Sequence, residues 1–357
     1  MIEAHPAVLT VIAVSRRGAG LARRLREAIP DARVVVPDRF ALPGDQAYER
    51  SVRSEIATAF RGSRSLVLVM ATGIAVRLLA PLLHDKRTDP GVVVVDDGGR
   101  FAVSLLSGHL GGANALTERV AQVLGATSVV TTASEAAGLT SPDLLGHDYG
   151  WRMEPSSDFT AVAAALVNGD PIGVVQECGQ RDAVAGLPDH ARVYPSIEAL
   201  LAARPAAALI VSDRHTLPRT TGVPVVIYRP PVLALGAGAS RGAPADELLA
   251  LARQALFEGG FAEESVGIVA TIDKKRDEAA IIALAGHFIV PVRFFTAEEL
   301  EAAPGDWQRS AVVSQAVGTG GVCEPAALCA AHACVLAVPK RKSAHATLAI
   351  ARRPEGL

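Results

Sequence analysis

Short apolar runs alternate with amphipathic stretches along most of this chain. Val8 to Val14, Val34 to Val36, Leu66 to Met70 and Val92 to Val95 read as buried strands, apolar at nearly every position. Leu21 to Ile29 and Ile74 to Leu83 between them carry apolar residues at helical spacing. Asp96-Asp97-Gly98-Gly99 is turn chemistry, so Phe101 to Leu106 is expected to return as a hairpin partner. Ala113 to Leu124 places Ala113, Leu116, Val120 and Val123 on one helical face, and Ser128 to Thr131 closes the first segment.

His147, Tyr149, Trp151, Met153 and Pro155 mark a connector. A smaller unit follows, with helices at Phe159 to Val167 and Ile197 to Ala203 and strands at Ile172 to Gln176 and Ala208 to Val211. Arg229-Pro230-Pro231 is the next boundary, because consecutive prolines extend the chain and exclude helix. The third segment predicts strands at Val232 to Leu235 and Val266 to Thr271 and helices at Pro244 to Glu258 and Glu278 to Ala285. Thr296 with Glu299 forms a capping box, Glu324-Pro325 opens a helix, and Val335 to Val338 pairs with Ala346 to Ala351, joined by Lys340-Arg341-Lys342-Ser343. The expected fold is α/β: N-terminal and C-terminal α/β domains with mixed, largely parallel sheets, and a smaller middle α/β unit. The expected boundaries are 1–145, 146–229 and 230–357.

Composition narrows the function classes. The 357 residues are 50% hydrophobic and 20% charged, so the chain can bury real cores. A net charge of −2 and 4% aromatics argue against a nucleic-acid surface, so an anionic ligand must be met by a local patch. Met1 to Ala13 has no basic leader, and Gly73, Arg77 and Pro81 interrupt the apolar stretch Leu66 to Leu83. A soluble, cytoplasmic protein is expected. Cys178, Cys323, Cys329 and Cys334 do not have zinc spacing and are expected as buried reduced thiols.

The densest polar motif is Ser107-Gly108-His109-Leu110-Gly111-Gly112-Ala113-Asn114, between the Phe101 strand and the Ala113 helix. Three glycines in five positions cost conformational entropy unless the backbone needs unusual dihedrals or a close approach. His109 can exchange a proton, and the N–H groups of a helix start can receive an anion or a developing oxyanion. The lysine of a Walker loop and the glycine spacing of a dinucleotide fingerprint are both absent. A lone histidine is most often structural, and Asn114 can equally serve chemistry or tie the turn. Met70-Ala71-Thr72-Gly73 ends a strand and opens a helix, where α/β folds put ligands. Gly236 to Gly242 imitates a nucleotide loop, a weak signal on its own. Thr271-Ile272-Asp273-Lys274-Lys275 ends another strand. Lys340, Arg341 and Lys342, ordinary solvated residues singly, can form a carboxylate-binding rim with Arg241.

These motifs, in this order, resemble the CbiG family of cobalamin biosynthesis, the cobalt-precorrin 5A hydrolases. The resemblance lies in ATGIAVRLLAPLLHDKRTDPGVVVVDDGGRFAVSLLSGHLGGANALTERVAQVLGA, VGIVATIDKKRDE, FFTAEEL, VGTGGVCEPAAL and the closing PKRKSAHATLAIA. It covers almost the whole chain and is loose only in the middle unit. One departure is Gly238-Ala239-Ser240-Arg241-Gly242-Ala243, where the family usually has Gly-Cys-Arg-Arg-Gly-Thr, so that thiol has no role here.

The resemblance implies three domains and a cobalt-containing, ring-contracted tetrapyrrole as substrate. Its δ-lactone is opened and a two-carbon fragment leaves as acetaldehyde, giving cobalt-precorrin 5B. No cofactor and no protein-held metal are implied, because cobalt arrives within the substrate. Neighbouring pathway enzymes are the expected partners, with no nucleic acid and no membrane. On this reading His109 and Asn114 are the expected catalytic residues. His109 activates water, backbone N–H groups from Gly111 to Asn114 hold the oxyanion, and Asn114, Thr72 and Ser107 hold the lactone or carboxylate. Arg77, Lys86, Arg241, Lys274 and Lys340 are expected against the peripheral acetates and propionates, with Gly73, Gly108, Gly111, Gly112 and Asp273 completing the substrate contacts. Two other classes stay open: a non-catalytic tetrapyrrole carrier, and a nucleotide-dependent oxidoreductase using the Gly236 loop.

Overall fold

A computed structural model of the protein describes residues 7–49, 51–85, 88–109, 111–132, 142–218, 222–310, 315 and 318–354. The chain divides into two compact units between Leu144 and Leu145.

The first unit runs β1 (Ala7–Ala13), α1 (Arg16–Ala28), β2 (Ala32–Pro37), β3 (Gln46–Tyr48), α2 (Val52–Gly62), β4 (Ser63–Val69), α3 (Thr72–Leu79), β5 (Gly91–Val95), β6 (Phe101–Leu106), α4 (Ala113–Leu124) and β7 (Thr127–Val129). Its sheet has the order β3-β2-β1-β4-β5-β6-β7. The first five strands in sequence are parallel; β6 turns back antiparallel to β5, and β7 runs parallel to β6. Apolar layers cover both faces, one built with α1 and α4 and the other with α2 and α3. Helix α1 starts before its apolar run because the Ser15 hydroxyl caps the Gly18 amide. Helix α2 was not expected: its buried Ile56, Ala59 and Phe60 are set among Arg, Ser and Glu.

The reversal at β6 decides where the motifs lie. Leu106, at the end of β6, pairs with Val92 near the start of β5. The carboxyl ends of β4 and β5 therefore face one edge of the sheet, and those of β6 and β7 face the other.

The second unit carries two sheets. The first comprises β8 (Arg152–Met153), β9 (Ile172–Gln176), β10 (Ala191–Val193), β11 (Ala207–Val211) and β12 (Val225–Arg229), with α5 (Phe159–Asn168) and α6 (Ile197–Ala203). Its order is β10-β9-β11-β12-β8, parallel except for β8. The second comprises β13 (Leu233–Ala239), β14 (Val266–Ile272), β15 (Val292–Phe295), β16 (Leu336–Lys342) and β17 (Ala346–Arg352). It carries α7 (Ala245–Gly259), α8 (Ala279–Phe288), α9 (Ala297–Glu301) and α10 (Cys323–Ala331). Its order is β15-β14-β13-β17-β16, with β17 antiparallel to both neighbours. Arg352 on β17 ties the two sheets, pairing with Asp213 and donating to the Glu177 carbonyl at 3.1 Å. Mixed α/β layers with parallel-dominated sheets are thus present throughout.

Three local expectations are corrected. The segment Gly236 to Gly238 is not a loop: β13 continues through it to Ala239. A Cβ on Gly236 would stand 1.7 Å from the Cys323 carbonyl oxygen and one on Gly238 2.6 Å from Thr347 Oγ1, so these glycines serve close packing and not a nucleotide. Lys340 to Lys342 lie within β16, and the turn that follows spans 343–345. Cys178 and Cys323 are buried free thiols, but Cys329 is half-buried and Cys334 is exposed. The capping box at Thr296 and Glu299 is present as expected. Among the described residues no three His, Cys, Asp or Glu side chains converge as a metal site, and no helix is long and apolar enough to cross a membrane.

Gly236→Ala forces β13 away from α10, because the obstructing atoms are backbone. The variant is expected to lose about 3 kcal/mol, the upper range of overpacking, read as a drop in Tm. An unchanged Tm would show that the two elements separate freely.

Candidate functional site

The His109 loop closes on itself. The amides of Gly112, Ala113 and Asn114 donate to the carbonyls of His109, Ser107 and Gly108 at 2.9, 3.3 and 3.0 Å. These three N–H groups, expected to face an oxyanion, are therefore engaged within the turn. The Gly111 amide and the Ser107 hydroxyl make no hydrogen bond among the described residues. Gly112 needs φ +74°, which glycine adopts without penalty. Gly111 lies so close to Gly91 and Ser107 that a Cβ would stand 2.4 Å from the Ser107 Cβ. Asn114 is buried at 5% exposure; its Oδ1 accepts from the Ser104 hydroxyl at 2.7 Å and its Nδ2 donates to Thr132 Oγ1 at 3.1 Å. Its amide thus ties β6, α4 and the chain after β7 beneath the turn. Ser107 adopts φ +52°, a strained conformation for a non-glycine residue of the kind that clusters at functional sites. His109 is half-buried on this loop.

Thr72, Gly73 and Arg77 lie elsewhere. They open α3 at the carboxyl end of β4, are exposed, and Arg77 donates to the Gly73 carbonyl at 3.0 Å. The length of β5, about 13 Å at 3.3 Å per residue, separates this edge from the His109 edge. Ser107, Gly108, His109, Gly111, Gly112 and Asn114 are thus brought together, while Thr72, Gly73 and Arg77 are not among them. Lys86 lies outside the described residues.

In the second unit a cavity of about 510 Å³ opens at the carboxyl ends of β13, β14 and β16. The first turn of α10 forms one wall, with Cys323, Glu324 and Pro325, and the 342–347 turn another. Lys275, Lys340, Lys342 and His345 supply positive or protonatable groups, and Ser240, Ser310 and Thr347 supply hydroxyls. Strand alternation explains the selection on β16: Lys340 and Lys342 share the cavity face, while Arg341 pairs with Glu258 on α7 at 3.2 Å. Lys275 is held by Glu278 at 3.7 Å, and Glu278 also accepts the Gly242 amide at 3.1 Å. Glu324 is 2% exposed, its two oxygens accepting the Gln308 and Lys340 amides at 2.7 and 2.9 Å. Burial pushes the Cys323 thiol up to about 11, which keeps it protonated and inert.

Of the residues expected in a basic rim, Lys340 and Lys342 line this cavity, whereas Arg341 does not. Arg241 is exposed and paired with Asp277 at 3.5 Å. Lys274 is exposed on the turn after β14, and Asp273, on the same turn, buries an Oδ1 without a partner among the described residues. Sequence reasoning missed Lys275 and His345 as cavity residues. Alternation along β16 separates Lys340 and Lys342 from Arg341, whereas nothing local marks His345.

Three family models together cover most of the chain from residue 54 to residue 351. The cobalamin synthesis G N-terminal model matches residues 54–135, the cobalamin biosynthesis central region 140–230, and the cobalamin synthesis G C-terminus 233–351. A cobalt-precorrin-5A hydrolase of Priestia megaterium is 36% identical over 355 residues, covering 96% of this chain and 94% of that protein. The chain belongs to the CbiG family. A cobalt-precorrin-5A hydrolase of Salmonella typhimurium is 32% identical, covering 92% of this chain and 93% of its own length. A solved putative cobalamin biosynthesis protein G homolog from Sulfolobus solfataricus is similar at 20% identity over 99% of both chains, with a TM-score of 0.39.

Two outcomes follow from this geometry. Asn114→Ala removes the part-buried hydrogen bonds to Ser104 and Thr132 and is expected to cost about 1–3 kcal/mol in a denaturant melt; an unchanged midpoint would remove the amide's tethering role. Glu247, on α7, is held down to about 2 from 4.5 by hydrogen bonds from the Ser343 hydroxyl and the His345 amide and ring. Its folded value lies below its unfolded one, so this contribution is present above pH 4.5 and disappears as pH falls toward 2. Hydrogen exchange at the His345 amide should accelerate over that window beyond the intrinsic pH trend, and Glu247→Gln should abolish the excess.

Proposed function

We propose that this chain is an enzyme, a cobalt-precorrin-5A hydrolase of cobalamin biosynthesis. It opens the δ-lactone of the ring-contracted cobalt tetrapyrrole and releases acetaldehyde. The observation that carries this reading is the 36% identity to a hydrolase of that name across 96% of the chain. The three cavity lysines support it, because a macrocycle rimmed with carboxylates requires local cations on a chain of net charge −2. The cobalt enters as part of the substrate.

In the proposed chemistry His109 takes a proton from water as its oxygen attacks the lactone carbonyl. The Gly111 amide and Ser107 hydroxyl are the donors of this loop available to the oxyanion. Collapse breaks the acyl C–O bond, and the proton left on the attacking oxygen passes to the departing alkoxide, giving a carboxylate and an alcohol on the two-carbon fragment. Loss of the alcohol proton then drives cleavage of the C–C bond. The fragment departs as acetaldehyde and the electron pair passes into the conjugated macrocycle. Asn114 acts on this reading by positioning the loop.

Anaerobic incubation with cobalt-precorrin 5A and trapping of the aldehyde tests the reading. The purified chain should yield acetaldehyde; binding without aldehyde would favour a carrier. His109→Ala should fold with an unchanged Tm and lose on the order of 10²–10⁴ in rate. A stable variant with wild-type turnover removes His109 from the chemistry. Lys340→Ala should weaken substrate binding, with a shallower dependence on salt than the parent chain. Equal affinity at every ionic strength would make Lys340 a bystander.

A further inference from the structure

The alcohol proton in the second step needs an acceptor, and His109 has already received one in the first. The cavity of the second unit holds a second histidine in a prepared setting. His345 lines it on the turn between β16 and β17. Its Nδ1 lies 2.9 Å from Glu247 Oε2. The other Glu247 oxygen accepts the His345 amide at 2.7 Å and the Ser343 hydroxyl, so the carboxylate is fixed from three directions. The ring's Nε2 makes no hydrogen bond with any described residue. A carboxylate on Nδ1 fixes the tautomer, leaves Nε2 as the proton acceptor, and stabilises the imidazolium that forms.

We propose that His345 is the base of the carbon–carbon cleavage step, with Glu247 as its positioning residue. The inference rests on the hydrolase reading above. Nε2 of His345 removes the proton of the freed hydroxyl. The oxygen's electron pair forms the aldehyde C=O as the C–C bond breaks, and the pair from that bond passes to the macrocycle. No oxidant or reductant is required. Lys275, Lys340 and Lys342 in the same cavity hold peripheral carboxylates, which brings the substrate's edge within reach of the ring.

The step assignment is tested with the full chain and cobalt-precorrin 5A under anaerobic conditions, following both the ring-opened acid by mass and the aldehyde by trapping. His345→Asn keeps a donor toward Glu247 and removes Nε2. It should open the lactone at the parent rate and accumulate an acid heavier than substrate by one water. Aldehyde release should fall on the order of 10²–10⁴. Glu247→Gln should show the same partition with a smaller loss. Substitutions that only loosen the turn would slow both steps together and lower Tm, and that result overturns the assignment, as does a stable His345→Asn chain releasing aldehyde at the parent rate. An unsubstituted chain that neither opens the lactone nor releases aldehyde would fail the hydrolase reading itself, and His345 as its base with it.

Discussion

The contact on which the second unit's cavity depends is a backbone one. Cys323, at the start of α10, presents its carbonyl to β13 at a distance that no Cβ at position 236 allows. That approach lays the first turn of α10 against the sheet at the carboxyl ends of β13 and β14. Glu324 then bridges outward, accepting one amide from the segment at Gln308 and one from β16 at Lys340. A buried carboxylate with two amide partners is stable where an unpaired one is not. Helix start, β16 and the Gln308 segment are thereby held around one space, and alternation along β16 turns Lys340 and Lys342 into it.

The first unit is governed by the turn at Asp96 to Gly99. Asp96 receives the amides of Gly98, Arg100 and Phe101 at 3.2, 2.7 and 2.8 Å, which fixes the hairpin and the direction of β6. Because β6 runs backwards, its following loop reaches the opposite edge from the loop after β4. The glycines of the His109 loop are then used to pack against Gly91, Ser107 and Asn114 and to adopt a positive φ. Their abundance reflects the turn's own construction, and the proposed chemistry is carried by two of its polar side chains, Ser107 and His109.

Much of this was legible in the sequence. The apolar runs gave the strands from Val8 to Val95, and Ala113 to Leu124 was located residue for residue because a glycine bounds each end. The turn residues at Asp96 announced the hairpin. Elements with short or diluted apolar patterns escaped: β3, α2, β8, β10, β12 and β15. Gly236 and Gly238 misled because a glycine spared for ligand approach and one spared for helix approach look alike along the chain. The candidate residues were individually visible, but their separation was not. It depends on the sheet edge to which β6 returns, a property of topology and not of motif. The Glu247–His345 pair spans 98 positions and carries no local signature.

In the proposed chemistry water, activated on the His109 loop, attacks the acyl carbon of the lactone. Reaction of the full chain with cobalt-precorrin 5A in heavy-oxygen water tests this directly, by mass analysis of the macrocyclic product. One heavy oxygen is expected in the carboxylate freed from the lactone. A product carboxylate without the label would mean that the ring opens at the alkyl carbon or without water, and would contradict the proposed attack.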